Sequence, residues 1–204
     1  MARLSEDRQA AEPTSPEQID RYRRILRAAA HHGAAKGLDR VQMLDVARDA
    51  GVAIATLYRY FPSKTHLFTG VMRAQVEHLG EYSVHPRQGE ASEDAIARLL
   101  VRAGRELLRT PLLSHAMMQS NNASVAQSPN AGVTQVFIDL MLEAGGIENP
   151  TPHDLRLLRL LEQAWYGILI TALNGHISLA DMDDDTQLIC RLLLRELEST
   201  ASRS

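Results

Sequence analysis

The chain has 204 residues, of which 45% are apolar and 23% are charged, a composition that excludes wholesale disorder. A chain of this length can bury a core without disulfides, and its one cysteine, Cys190, cannot form an internal bridge. The N-terminal residues contain no apolar stretch of the kind that forms a secretory signal, and polar residues interrupt the long uncharged stretch at 163–180. We therefore expect a cytoplasmic protein without a membrane span.

Charge is divided unevenly along the chain. Residues 1–80 contain 12 basic and 9 acidic side chains, whereas residues 81–204 contain 10 basic and 16 acidic ones. A basic part joined to an acidic remainder favours contact between the first part and a polyanion. A chance distribution of charge is the alternative explanation.

The first part of the chain predicts an arm followed by four helices. Residues 1–14 are polar and lack apolar periodicity, which predicts a flexible arm. Ser15 can cap the first helix, and Gly37 supplies its C-terminal stop. Two short helices then flank a turn at Gly51, and the second of them halts at Pro62 because proline cannot continue a helix. A fourth helix follows the proline.

Beyond a linker at residues 81–91, the sequence has the periodicity of helices and no strand-like alternation. Thr151, Pro152 and Asp154 form a capping arrangement at one helix start. The polar stretch at residues 120–127 is predicted to be a loop. The predicted helices span residues 92–110, 112–119, 128–144, 155–173 and, from the acidic run at 181–185, residues 183–198. The sequence therefore predicts an all-α fold with a smaller N-terminal unit and a larger remainder.

The most informative stretch is DAGVAIATLYRYFPSK, residues 49–64. A helix-turn-helix needs a small residue at a chain reversal and then a short helix whose outer face enters the DNA major groove. Ala50 and Gly51 supply the reversal. Val52 and Leu57 can point inward and hold the second helix of the motif against the first helix of the chain. The other side chains of that helix are left for the core edge and for DNA.

Residues 20–72 resemble the DNA-binding domain of the TetR family of bacterial transcriptional regulators. Within the family, VQM at residues 41–43 with TLYRYFPSKTHL at residues 56–67 is similar to the actinobacterial repressors of cholesterol and steroid catabolism. The rest of the chain is similar only in length and helical character. The matching residues are Val46, Ala47, Ala50, Gly51, Val52, Thr56, Leu57, Tyr58, Tyr60, Phe61, Ser63, Lys64, Leu67 and Phe68.

The resemblance implies a three-helix helix-turn-helix DNA-binding domain within residues 15–80 and a helical ligand-binding and dimerisation domain at residues 81–204. It also implies a homodimer, a double-stranded DNA operator of two inverted half-sites, and release of the DNA when a small molecule binds the second domain. We therefore predict a ligand-responsive transcriptional repressor.

Several side chains of the motif have the chemistry of DNA contacts. The hydroxyls of Tyr58 and Tyr60 can reach phosphate oxygens, and Lys64 is a cation at the positive end of a helix. Thr56 can contact base edges. For the two tyrosines, the alternative is that aromatic residues at helical spacing belong to the core. The predicted DNA-binding residues are Gln42, Ala53, Ile54, Ala55, Thr56, Tyr58, Arg59, Tyr60 and Lys64.

The sequence departs from the family pattern at three positions. Val41 stands where a capping threonine is common, which leaves Gln42 as the polar contact there. Ala53 replaces a common serine or threonine cap, and Ala55 replaces a common glycine. Fewer polar readers imply more reliance on DNA shape and apolar contact.

Apolar side chains of the second domain are suited to an adaptable pocket, because methionine and tryptophan fit irregular ligands. Few charged residues lie on the inward faces of these helices, so the predicted effector is a bulky apolar molecule. The subgroup resemblance implies a steroid or an acyl derivative. Ordinary core packing is the alternative. The predicted ligand-binding residues are Leu107, Met117, Met118, Phe137, Leu140, Met141, Trp165, Tyr166 and Leu169.

Catalytic and metal chemistry are not indicated. The eight histidines are scattered apart from the pair His31 and His32, and show no metal-ligand spacing. Cys190 sits among leucines, where burial keeps a thiol inert. The acidic run at 181–185 lacks the glycine and distal glutamate of a calcium loop. We expect no enzyme activity, metal or cofactor. The alternative function is a helical enzyme or interaction module whose first helices only resemble a DNA reader.

Overall fold

The computed structural model describes residues 10–81, 85–128 and 132–195, and these residues form nine α-helices and no strand. The predicted all-α class is confirmed, and none of the described helices is long and apolar enough to cross a membrane. The helices are α1 (Pro16–Lys36), α2 (Met43–Asp49), α3 (Ile54–Tyr60), α4 (Lys64–Gly80), α5 (Ser92–Arg109), α6 (Pro111–Gln127), α7 (Thr134–Gly145), α8 (Pro152–Leu173) and α9 (Leu179–Leu193).

Local capping determines where several helices begin. The Ser15 hydroxyl accepts a hydrogen bond from the Gln18 backbone N–H at 3.3 Å, as the sequence predicts. At the start of α8, the Asp154 carboxylate accepts from the Thr151 N–H at 2.8 Å, which confirms the predicted capping arrangement. The same box occurs at Ser178, which places the start of α9 before the acidic run. These bonds satisfy backbone amides that have no partner inside the helix.

The described residues pack into two compact units, each with its own core. The first unit consists of the described parts of Met1–Gln75 and of Thr110–Val133, and in it α6 packs against α1. The second unit consists of the described parts of Val76–Arg109 and of Thr134–Ser204, and in it α5, α7, α8 and α9 pack together. The predicted functional division at residue 80 stays a prediction, and packing groups α6 with α1, α2, α3 and most of α4.

The prediction of a short helix at 112–119 followed by a polar loop is wrong, because α6 continues to Gln127 and Ser128 caps its end. Three polar side chains of its second half, Ser120, Asn121 and Ser124, are buried instead of solvated. The Asn121 side-chain oxygen accepts from the Val133 backbone N–H at 3.0 Å, and the Ser124 hydroxyl shares a 2.9 Å hydrogen bond with Thr69. Residues 129–131, where the next helix was expected to start, and residues 196–198 lie outside the described residues.

A close approach of three helices forms the centre of the first unit. A Cβ added at Gly33 of α1 would lie 2.6 Å from the Phe68 ring of α4 and 2.9 Å from a Leu113 methyl of α6. Only a glycine leaves room for this contact. Ile25 and Leu57 are also fully buried, so the core extends from α1 to α3.

Candidate functional site

The two short helices α2 and α3 are joined by the tight turn that the sequence predicts. Gly51 has a φ of 65°, a left-handed conformation that favours glycine, and the Val52 N–H donates to the Ala47 carbonyl at 3.0 Å. Helix α3 begins at Ile54 and ends before Pro62. The local geometry is that of a helix-turn-helix, with α3 as its second helix.

Helix α3 is anchored through its inner face. Leu57 is fully buried, and Tyr60 is only 2% exposed, with its ring edge-on to Tyr22 at 5.7 Å between centroids. The expected surface position of Tyr60 is therefore wrong for its ring, because aromatic packing against α1 holds it in the core. Its hydroxyl accepts a hydrogen bond from the Arg59 guanidinium at 2.9 Å, and that guanidinium also lies 4.8 Å from the ring centroid.

The other predicted DNA-binding residues lie at the surface of the first unit. The Tyr58 side chain is 44% exposed. Gln42 and Ala53 are the N-cap residues of α2 and α3, and neither side chain makes a cap hydrogen bond. The cap bond that Ala53 puts in doubt is indeed missing. The exposed members of the predicted set are Gln42, Ala53, Ala55, Tyr58 and Arg59, and the half-buried ones are Ile54, Thr56 and Lys64.

Lys64, the first residue of α4, has a structural contact that sequence reasoning missed. Its ammonium donates to the backbone carbonyls of Leu38 at 3.2 Å and Asp39 at 3.3 Å. The cation therefore holds the loop that leads from α1 into α2. The segment before α1 is also tied to the motif, since the Ala11 N–H donates to the Arg59 carbonyl at 3.0 Å. Residues 1–9 of the predicted arm lie outside the described residues.

A basic groove lies beside the turn of the helix-turn-helix and has a volume of about 460 Å³. Three arginines from α1 and α2 line it, together with His31, Asp49 and the turn residues. Asp49 pairs with His32 at 2.7 Å, and this hydrogen bond holds the pKa of the Asp49 carboxyl below its usual value. Sequence reasoning missed the groove because its two halves come from different helices.

The second unit brings together seven of the nine predicted ligand-binding residues. The rings of Phe137 and Trp165 stack at 5.4 Å between centroids, and the buried Trp165 indole N–H has no hydrogen-bond partner among the described residues. The two exceptions, Met117 and Met118, are buried on α6 in the first unit. In the second unit, Phe137, Leu140, Met141, Trp165 and Leu169 are buried, whereas Leu107 and Tyr166 are half-buried.

A groove of about 470 Å³ on the surface of α5 and α9 contains none of the predicted ligand residues. Four arginines of α5 line it, and at least three of them already have acidic partners. Arg98 donates two hydrogen bonds of 2.9 Å to Glu90 and thereby lowers the pKa of that carboxyl to about 2. Arg105 pairs with the buried Asp183. This groove is a network of ion pairs instead of an apolar pocket.

Metal and thiol chemistry find little support in the described part of the chain. No three His, Cys, Asp or Glu side chains among those residues come close enough to hold a metal ion. Cys190 is fully buried, and this burial raises the pKa of its thiol to about 12, so the thiol is protonated at neutral pH.

The matching family models divide the chain between residues 71 and 89, so that α6 falls in the second match. The family model "Bacterial regulatory proteins, tetR family" matches residues 25–71, and "Tetracyclin repressor-like, C-terminal domain" matches residues 89–193. The HTH-type transcriptional repressor KstR of Rhodococcus jostii (strain RHA1) is 30% identical over 187 residues, covering 89% of this chain and 86% of its own length. KstR of Mycobacterium tuberculosis (strain ATCC 25618 / H37Rv) is 30% identical over 191 residues, covering 91% and 86%.

One solved structure is similar over most of the chain. The crystal structure of a TetR transcriptional regulator from Rhodococcus sp. RHA1 matches with a TM-score of 0.82 and 49% sequence identity. The match covers 89% of this chain and 100% of that chain. These relatives are transcriptional regulators and not enzymes.

Proposed function

The chain belongs to the TetR family of bacterial transcriptional regulators, and from this premise we propose that it represses transcription as an operator-bound homodimer that an apolar effector releases. The observation that carries the proposal is the outer face of α3. That face presents Tyr58 and its neighbours to solvent, while Leu57 and Tyr60 fix the helix from below. A short helix anchored in this way is suited to enter a major groove.

The contacts assigned to DNA follow from exposure and chemistry. The Tyr58 hydroxyl and the Lys64 ammonium would bind phosphates, and Lys64 would also keep the α1–α2 loop in place. Thr56 and Ile54, at the start of α3, would read base edges and thymine methyl groups. Tyr60 would act indirectly, through its hydrogen bond with Arg59.

Homodimer formation is supported by exposed leucines of the second unit. Leu188 and Leu192 lie one turn apart on α9 and are 47% and 59% exposed, and Leu155 and Leu160 of α8 are also exposed. Apolar groups of this kind favour a self-complementary interface between two copies. Since one short helix reads too few base pairs, a dimer with two readers about 34 Å apart, one DNA turn, would give the operator its inverted half-sites.

The effector would enter the interior of the second unit, where Phe137 and Trp165 stack among leucines and methionines. The Trp165 N–H has no hydrogen-bond partner among the described residues, and a buried unsatisfied donor of this kind costs about 1–3 kcal/mol of stability. This donor restricts the chemistry of the proposed effector. An apolar molecule that carries an acceptor oxygen, such as a steroid or an acyl derivative, would remove this cost. Release from DNA requires that the effector bind the form with misplaced α3 helices more tightly than the DNA-ready form.

The experiment that tests this function begins with selection of genomic DNA fragments by the purified protein. The selected operator is then titrated with a steroid acid, a fatty acyl compound, a planar aromatic drug and polar metabolites. We expect apolar compounds to free the operator and to change the fluorescence of Trp165, the only tryptophan. Release by polar metabolites alone would contradict the effector class and leave DNA binding intact.

Two substitutions separate the proposed roles within the DNA interface. Lys64→Ala should weaken binding to every duplex and flatten the salt dependence by about one unit of slope per protomer, as for one lost phosphate contact in each. Thr56→Ala should change the preference among operator sequences. Thermal denaturation of Lys64→Ala is the control, because Lys64 also holds a loop. If Lys64→Ala changed the sequence choice without changing the salt slope, the role given to Lys64 would be wrong.

A further inference from the structure

The basic groove beside the helix-turn-helix turn lies outside the set of predicted DNA-binding residues. It joins the middle of α1 to the last turn of α2, and its volume is about 460 Å³. The backbone of the turn into α3 forms one side of it. The lining residues that matter are Arg24, Arg27, His31, Arg48, Asp49 and Gly51.

Two of the three arginines are fixed by partners within the first unit. Arg24 donates to the Ala50 carbonyl at 2.8 Å and pairs with Asp20 at 3.2 Å. Arg48 pairs with Asp45 at 3.0 Å. Arg24 therefore tethers α1 to the turn and keeps a guanidinium at the mouth of the groove.

Arg27 differs from these two arginines. It is exposed on α1, and it forms no ion pair with a carboxylate among the described residues. The one acid that lines the groove, Asp49, is engaged by His32 at 2.7 Å and by Arg48 at 3.5 Å. In the described part of the chain, the groove thus contains a cation without a carboxylate partner, and its acid is already paired with neighbours.

The position of the groove indicates what such a cation meets. In a helix-turn-helix, the first helix crosses the DNA backbone and the N-terminal residues of the second helix contact base edges. Ala50 and Gly51 lie between these two elements, so the phosphates at the edge of the major groove run past them. Arginines and backbone N–H groups at such places contact phosphates and set the register of the protein.

We propose that this groove binds a phosphate of the operator backbone, with Arg27 as its principal cation and Arg24 and His31 as additional donors. The proposal rests on the DNA-binding function and extends the interface from α2 and α3 to the middle of α1. The phosphate would supply Arg27 with the anionic partner that the described residues do not provide. Because the contact is to the backbone, it contributes affinity and register without reading sequence.

The experiment compares Arg27→Gln with two controls on the selected operator and on an unrelated duplex. Arg27→Gln should flatten the salt dependence by about one unit of slope per protomer on both duplexes. Arg27→Lys keeps the charge and should retain the slope. Arg87→Gln removes the same charge from an exposed loop of the second unit and should leave the slope unchanged.

Single methylphosphonate substitutions in the operator then locate the contact. We expect one neutralised phosphate per half-site to weaken binding of the wild-type chain but not of Arg27→Gln, and this phosphate should differ from the one sensed by Tyr58→Phe. Equal salt slopes for Arg27→Gln and Arg87→Gln would overturn the proposal. So would a lowered thermal midpoint of Arg27→Gln that accounts for its weaker binding.

Further outcomes distinguish a failure of the groove proposal from a failure of the DNA-binding function on which the proposal rests. If Lys64→Ala flattens the slope and Arg27→Gln does not, the groove proposal fails and DNA binding stands. If the wild-type chain selects no duplex at all, the DNA-binding function itself fails. If inorganic phosphate stabilises the free wild-type chain but not Arg27→Gln, and the DNA slopes stay equal, the groove binds a free anion and the proposal is wrong.

Discussion

The two units of this chain differ in how much of their function can be read from residue types. In the first unit, the turn at Gly51 and the inner face of α3 are required by any helix-turn-helix, so their residues are recognisable. In the second unit, Phe137 and Trp165 stack in an apolar interior that would look alike in a plain core and in an effector pocket. A repeating polyanion restricts its protein partner more than a variable apolar molecule does.

Truncating one buried leucine in each unit has the largest expected effect and tests whether the two units have different functions. Leu57→Ala and Leu161→Ala each delete a fully buried side chain and should cost about 2–5 kcal/mol of folding stability. Leu57→Ala should also abolish operator binding, because α3 loses its anchor, while the Trp165 fluorescence response to effector persists. Urea denaturation and operator titration measure both effects. Leu112→Ala, at a residue of α6 that is 49% exposed, is the control and should change neither.

A second prediction concerns assembly through the second unit. Replacing Leu188 and Leu192 of α9 by glutamate places charges on the exposed apolar face and should convert a dimer to a monomer, measured by light scattering. Operator affinity should fall about tenfold or more, since each 1.4 kcal/mol of lost coupling is a factor of ten. Leu112→Glu, an exposed leucine of the first unit, should leave the mass unchanged. If the double variant remains dimeric, the prediction that these two leucines lie in the dimer interface is wrong.

Substitution of two glycines tests whether the interior of the first unit is more rigid than the interior of the second unit. Gly33→Ala would place a Cβ 2.6 Å from the rigid Phe68 ring, and overpacking of this kind costs about 1–3 kcal/mol. Gly104→Ala would meet the flexible end of Met182 at 2.9 Å, which can rotate away, so we expect the smaller loss. Thermal denaturation of both variants checks the order. A larger loss for Gly104→Ala would contradict the adaptable interior proposed for the second unit.

The smallest expected effect is electrostatic and depends on pH. Arg98 lowers the pKa of Glu90 from 4.5 to about 2, so the ion pair stabilises the folded chain fully above pH 4.5. This stabilisation is lost as the pH falls through about 2, because the carboxylate becomes protonated. Glu90→Gln should therefore lower stability at pH 7 by about 1 kcal/mol or less, with a difference that shrinks toward pH 2. Glu148→Gln, at an exposed loop residue, is the control in denaturation at each pH.

Much of the helical framework could be predicted because its signals are local. Ser15 and Thr151 cap the helices that follow them, and Gly51 marks the turn before α3. Each of these signals acts within four or five residues, so one sequence is enough to read it. The same holds for Leu57, whose burial follows from helical spacing.

The predictions that are wrong concern residues whose partners are distant in the sequence. Ser124 was assigned to a loop because it is polar, yet its hydroxyl pairs with Thr69 of α4 in the interior. Tyr60 was expected at the surface, but the Tyr22 ring of α1 buries it. Sequence patterns record polarity and spacing without recording which distant group satisfies a hydrogen bond or covers a ring.

The residues of the sequence by themselves determined an all-helical chain, the position of its helix-turn-helix, and the family to which it is similar. Tertiary structure alone decided that α6 joins the first unit and that Arg24 and Arg27 of α1 face Arg48 of α2 across a groove. The physical reason is the separation along the chain over which each kind of interaction acts. Helix capping and periodicity act between near neighbours along the chain, whereas burial, ion pairing and grooves are created when distant helices pack.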